Sequence, residues 1–233
     1  MPNSEQRKVN TEQRIPNNEQ RIDMNTSLRK MSARLRRTAY GLRYIGHHHG
    51  YGVHSPFAFE YINRVIYERA PYYVYADVER ARIPHSRGEL PRRVCRLLLR
   101  IVNRAQPHTL IDVGPQPHAA MAYLKAGKRD MRCLHFDAEP AHIPDPPSDE
   151  TILVYLHDYL HPEQLERAAS HYLPLLNRRS VMLIAGVGYS AAMKQVWHSL
   201  IARPAVGVSF RLYDIGILFF DPTKMKRDYI VNF

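Results

Sequence analysis

This chain has little cysteine, no long apolar run and, over two stretches, almost no acid. The two cysteines among its 233 residues, Cys95 and Cys133, sit in apolar-periodic segments without CxxC or Cys/His spacing. That predicts reduced, buried thiols rather than a disulfide framework or a zinc site. No apolar run reaches the roughly twenty residues needed to span a bilayer. The opening MPNSEQRKVNTEQR is too polar for a secretory signal, so a cytoplasmic location is the expectation. Nucleophile elbows, P-loops and Ser/His/Asp spacings are missing as well, and no catalytic residue is assigned from sequence.

Acid is absent from Ser27 to Gly46, which carries six basic residues, and Arg80 to Arg104 sets eight arginines against Glu89 alone. From Gln106 to the C-terminus thirteen basic residues balance thirteen acidic ones, so the two basic stretches account for the net charge of +11. A basic appendage on a neutral half suggests an acidic partner, either nucleic acid, a phospholipid surface or an acidic protein, unless the arginines are simply solvated helix faces. Arg92, Arg96, Arg100 and Arg104 fall at i, i+4 spacing as one stripe. Together with the basic helix 27–45 they form the candidate surface for such a partner.

The first 26 residues repeat Glu-Gln-Arg every seven positions, at Glu5, Glu12 and Glu19, without an apolar seam and with Pro16 as an interruption. This reads as a disordered polar tail. Residues 27–105 read as a basic helical cap, with helices at 27–45, after Pro56 and from Pro91 to Arg104. Residues 106–233 alternate strand and helix. Strands are expected at 109–113, 132–137, 151–156, 180–185, 206–213 and 215–220, with helices near 118–127, 162–177 and 190–202, and YIVNF at 229–233 as a further short strand. Such alternation predicts a mostly parallel sheet with helices on both faces. The last two full strands are separated only by Asp214, so they must be antiparallel neighbours.

Glycine is missing at the place that matters most. Thr109 to Leu124, TLIDVGPQPHAAMAYL, has the outline of a nucleotide-binding strand, loop and helix, but after Gly114 the loop reads Pro115-Gln116-Pro117-His118. In a working loop further glycines let the backbone approach the ligand while the helix N-terminus faces it. Two prolines remove two N–H donors, and Gln116 and His118 place side chains where glycine would leave room.

Three segments resemble a bacterial class I S-adenosylmethionine-dependent methyltransferase-like family. HGYGVHSPFAFEYINRVIYE is similar to its N-terminal HGxHSPFxF block, and RLLLRIVNRAQPHTLIDVG to its approach to the first strand. SAAMKQVWHSLIARPAVGVSFRLYDIGILFF is similar to its C-terminal end, where a S-x-x-M-x-x-x-W helix precedes a closing hairpin. The resemblance implies a Rossmann-like fold. It leaves Asp112 and Gly114 in register with the cofactor loop, and Asp137, at the end of the second strand, placed to accept hydrogen bonds from ribose hydroxyls. The family's I-D-G-x-H turn reads Leu156-His157-Asp158-Tyr159-Leu160-His161 here, and its D-D-I-x-W-S turn reads Ala185-Gly186-Val187-Gly188-Tyr189-Ser190, without carboxylates.

Between Asp137 and Thr151 the stretch AEPAHIPDPPSD holds four prolines and has no room for the usual helix, strand and helix of a class I fold. The third-strand unit is predicted to be missing. His47, His48, His49 and His54 are read as a loop without a metal, Trp197 as core, and His157 as a loop residue with an acid-base role as a lesser alternative. The reading is therefore an α/β protein with a Rossmann-like class I methyltransferase fold, truncated by one unit, with a helical N-terminal cap. No cofactor is expected, and the protein is read as a pseudoenzyme or scaffold. One alternative is an active methyltransferase that binds S-adenosylmethionine through Asp112, Gly114 and Asp137. The other is a basic binding module for nucleic acid or an acidic partner.

Overall fold

Five-residue runs, apolar throughout in β3 (Ile152–Leu156) and β4 (Val181–Ala185) and broken by Thr109 and Asp112 in β1 (Thr109–Val113), form the central strands and are buried along their whole length, as strands covered on both faces must be. This computed structural model describes residues 35–43, 53–80, 90–115, 119–137, 149–157 and 161–233. The chain divides into two units, Met1–Thr38 and Ala39–Phe233. In the first only 35–38 are described; they are helical, as are 39–43 in the second, and residues 35–43 are labelled α1. The polar tail and most of the histidine cluster lie outside the described residues.

Among the described residues the second unit contains seven strands in the order β2-β1-β3-β4-β6-β5-β7, with β2 at Arg132–Phe136, β5 at Val208–Arg211, β6 at Ile215–Phe219 and β7 at Arg227–Ile230. Strands β2, β1, β3 and β4 run parallel, β6 is antiparallel to both neighbours, and β7 lies parallel to β5. The fold is the mostly parallel α/β sheet with a closing antiparallel hairpin expected from sequence. The chain leaves β1 toward β2 on one side and returns to β3 on the other, which creates a switch point between β1 and β3. Among the described residues β2 is the sheet edge, as the shortened 138–149 interval predicts. The seventh strand sits instead at the opposite edge.

Helices cover both faces. One face packs against α2 (Pro56–Tyr61), α4 (Arg92–Ala105) and α5 (Ala120–Gly127), with Leu97, Leu98, Tyr123 and Phe210 in its core. The other packs against α6 (Pro162–Tyr172) and α7 (Ala191–Ala202), around Tyr172, Met193 and Trp197. Local chemistry fixes the helix ends. Ser55 and Ser190 accept the backbone N–H of Ala58 and Met193 as N-caps, and Pro56 and Pro162 each stand in the first turn. Gln106 ends α4 in the left-handed region, with φ 48°. Pro174, unable to donate in an α-helix, converts the expected end of α6 into a 3₁₀ turn at Leu173–Leu175.

The HSPFAF block gains a physical role here. Ser55 caps, Pro56 starts the helix, and Phe57 sets its ring edge-on to Phe219 at 5.3 Å, while Tyr61 stacks on Phe210 at 5.2 Å. After Tyr61 the helix loosens into a π-turn, Ile62–Ile66. Helix α3 (Val74–Arg80) was not expected, because only Tyr75 and Val78 in it are buried and no apolar period shows.

Candidate functional site

The carboxyl ends of β1, β2 and β3 meet beside the switch point. Asp112 pairs in register with His135 on β2 and with Tyr155 on β3, so period-two alternation puts His135, Asp137, Tyr155 and His157 on the same face as Asp112. Asp112 is fully buried. His157 Nε2 lies 3.3 Å from its Oδ1, and His135 Nδ1 lies 2.9 Å from its Oδ2. The other nitrogen of His135 lies 3.1 Å from Asp137 Oδ1. The four side chains thus run from the interior outward: His157 is buried, the His135 side chain is one-third exposed, and that of Asp137 is 86% exposed.

Gly114 closes β1 with φ 133°, a conformation L side chains rarely adopt. A Cβ built there would stand 2.7 Å from Cε1 and 2.8 Å from Nδ1 of His157. The missing side chain therefore admits the imidazole, which also stacks on Tyr155 with ring centroids 5.1 Å apart. Burial pushes the Tyr155 hydroxyl well above the usual phenol range, with Cys95 and Asp112 adding to the rise. Residues 116–118, the rest of the loop, lie outside the described residues.

Of the three sequence-assigned positions, Asp137 is the exposed acceptor, Gly114 is the turn, and Asp112 sits beneath both as a buried anchor. Sequence reasoning missed His135 altogether and left His157 in a loop. The signal for His135 was its register with Asp112, which appears only once β1 and β2 are paired. At the end of β4, where carboxylates are absent from the turn, a residue from the β5–β6 turn stands instead. Buried Asp214 accepts the Tyr189 hydroxyl at 2.9 Å and has Arg93 at 3.8 Å.

The arginine stripe is engaged within the chain. Arg100, 6% exposed, donates to the carbonyls of Val65 and Ile66 at 2.7 and 2.9 Å, meeting groups that the π-turn leaves without helical partners. Arg92 and Arg96 both pair with Glu79, at 3.4 and 2.6 Å, and Arg104 reaches Glu60 at 3.5 Å. Residues 27–34 of the basic helix are outside the described residues. Trp197 is fully buried, against Gly216. Among the described residues no helix is long and apolar enough to cross a membrane, and no cluster of side chains could hold a metal ion.

No protein-family model and no curated protein matches the chain. Solved structures do. It is similar to a methyltransferase from Podospora anserina bound to S-adenosylhomocysteine, at 10% identity over 71% of this chain and 97% of that one, with a TM-score of 0.46. An O-methyltransferase from Bacillus cereus in complex with the same molecule matches at 11% identity over 69% and 96% of the two chains, TM-score 0.45. The Streptomyces achromogenes O-methyltransferase TomG, in complex with S-adenosylmethionine, matches at 13% over 65% and 91%, TM-score 0.45. These are distant likenesses of layout, and the fold assignment rests on the strand order itself. They correct one expectation, that no cofactor binds, since the structures this chain is similar to carry S-adenosylmethionine or S-adenosylhomocysteine. The expectation rested on Pro115 to His118, on the shortened interval after Asp137 and on the turns without carboxylates, and it set these above Asp137, whose side chain is exposed at the end of β2.

Proposed function

We propose that this chain is an S-adenosylmethionine-dependent methyltransferase with an atypical cofactor loop, holding the nucleoside part of its cofactor at the carboxyl ends of β1 and β2. The observation that carries the reading is Asp137. It is an exposed carboxylate at the end of the strand next to β1, some twenty residues after the strand-ending glycine, which is where α/β nucleoside sites hold an acidic residue on the ribose hydroxyls. Its Oδ1 is taken by His135, and its Oδ2 meets no donor among the described residues, so that oxygen suits a diol. Gly114 fits as the turn that ends β1, although the space its side chain would fill belongs to His157.

S-adenosylmethionine, when bound, supplies an electrophilic methyl group. Asp137 accepts from the ribose diol, His135 holds Asp137, and Asp112 holds His135 from below. The sheet end supplies the open rim at which such sheets bind ligands. Titration calorimetry of the full chain with S-adenosylhomocysteine tests this. A micromolar dissociation constant that weakens about tenfold or more in Asp137→Ala supports the reading. Absence of heat at millimolar ligand, or an Asp137→Ala variant that binds like the parent, contradicts it.

A further inference from the structure

We infer that His135 is a positioning residue that fixes the rotamer of Asp137 for the ribose diol, and that the buried Asp112 acts on the cofactor only through it. The inference rests on the methyltransferase reading above and deepens it at the same site. An exposed aspartate at a strand end is free to swing among rotamers, and a ligand that needs one of them must restrict that freedom on binding. Here the restriction is already present. His135 Nε2 lies 3.1 Å from Asp137 Oδ1, which leaves the other oxygen for the ligand.

The imidazole is itself held. His135 is the register partner of Asp112, and its Nδ1 sits 2.9 Å from Asp112 Oδ2. Asp112 has no freedom to move, being fully buried with the His157 ring 3.3 Å from its other oxygen. His157 is in turn wedged against Gly114 and stacked on Tyr155. Rigidity therefore passes outward from the core, through a ring with one nitrogen on each carboxylate. An ionised carboxylate accepts and never donates, so the imidazole supplies the N–H groups between the two, and it donates to both at once only in the form that carries a proton on each ring nitrogen. A strand-end aspartate without such a histidine would keep its charge and lose its aim.

The two ring nitrogens make the inference testable by substitution. Asn at 135 carries an amide nitrogen where Nδ1 stands and can keep Asp112, but is too short to reach Asp137. Gln carries its amide nitrogen near Nε2 and can keep Asp137. The experiment is calorimetric titration of the full-length parent, His135→Asn, His135→Gln, Asp137→Ala and the double variant His135→Asn/Asp137→Ala with S-adenosylhomocysteine, alongside the melting temperature of each. The expected result is that His135→Asn weakens binding about tenfold with little change in melting temperature, and that His135→Gln restores most of it. The double variant should bind no worse than Asp137→Ala, because a residue that acts through another adds nothing once that other is gone. If Asp137→Ala loses binding while His135→Asn binds like the parent, or if the two losses add in the double variant, the positioning role is overturned and the methyltransferase reading stands. If the parent does not bind, or Asp137→Ala binds like the parent, that reading falls and this one with it.

Discussion

Replacing Gly114 by alanine should destabilise the protein by roughly 2 to 6 kcal/mol, from two separable sources. The first is the backbone: φ at Gly114 is 133°, and holding a residue with a side chain in so sparsely populated a region costs about 1 to 3 kcal/mol. The second is steric. The new Cβ would stand 2.7 to 2.9 Å from three atoms of the His157 ring. That ring is 6% exposed and held by Asp112 and Tyr155, so it has no cheap retreat. Forcing a carbon into such a packed site costs about 1 to 3 kcal/mol more. Urea unfolding of the full chain, followed by tryptophan fluorescence, gives the change from the shift in midpoint. Trp197 is the only tryptophan and is fully buried, which makes it a clean probe. A second substitution, His157→Ala, removes the steric part. Gly114→Ala/His157→Ala should therefore be more stable than the sum of the single losses predicts, by about 1 to 3 kcal/mol. A Gly114→Ala variant within about 0.5 kcal/mol of the parent, or strictly additive losses, would refute the argument that this glycine exists to admit the imidazole.

Three further outcomes follow from contacts elsewhere. Arg100→Gln strands the carbonyls of Val65 and Ile66 and should cost about 2 to 4 kcal/mol in the same unfolding assay, whereas Arg92→Gln, which removes an exposed guanidinium and leaves Glu79 paired with Arg96, should change stability by less than about 1 kcal/mol. Because Arg92 and Arg96 share the one carboxylate of Glu79, Arg92→Gln/Arg96→Gln should lower retention of the full chain on heparin at low salt only slightly; a marked drop would make the stripe a polyanion surface. Cys133, expected to be buried, is exposed on β2, whereas Cys95 is buried; partial desolvation still pushes the Cys133 thiol up, so its thiolate fraction near pH 8 is below that of an ordinary thiol and its alkylation by iodoacetamide should be slower than that of free cysteine, the rate still rising where free cysteine has levelled off.

What the sequence made legible was whatever depends on local pattern. Apolar runs located β3 and β4, and an apolar run broken by Asp112 located β1. The single residue between the last two full strands required the antiparallel hairpin, and the short proline-rich interval after Asp137 pointed to a sheet ending at β2. Helix boundaries were read well where a serine or proline marked them, as at Ser55, Ser190 and Pro162, and poorly where proline acted from within, as at Pro174. Helix α3 escaped because two buried residues do not make a period. The site was legible only in its strand-end members. Asp112, Gly114 and Asp137 follow from the position of strands, but the contacts of His135 and His157 follow from register between strands distant in sequence, and a single chain read linearly carries no register. The arginine stripe was legible as a spacing but its contacts were not. In the fold its members meet Glu79, Glu60 or the carbonyls of the π-turn, groups that lie far from them in sequence.

The most direct test of the central claim is a crystal structure of the full-length chain grown with S-adenosylhomocysteine. The account predicts the ribose diol within hydrogen-bonding distance of Asp137 Oδ2, with Oδ1 still on His135 and the ligand lying over the ends of β1 and β2. A ligand bound elsewhere on the molecule, or one over these strands whose ribose makes no contact with Asp137, would contradict it.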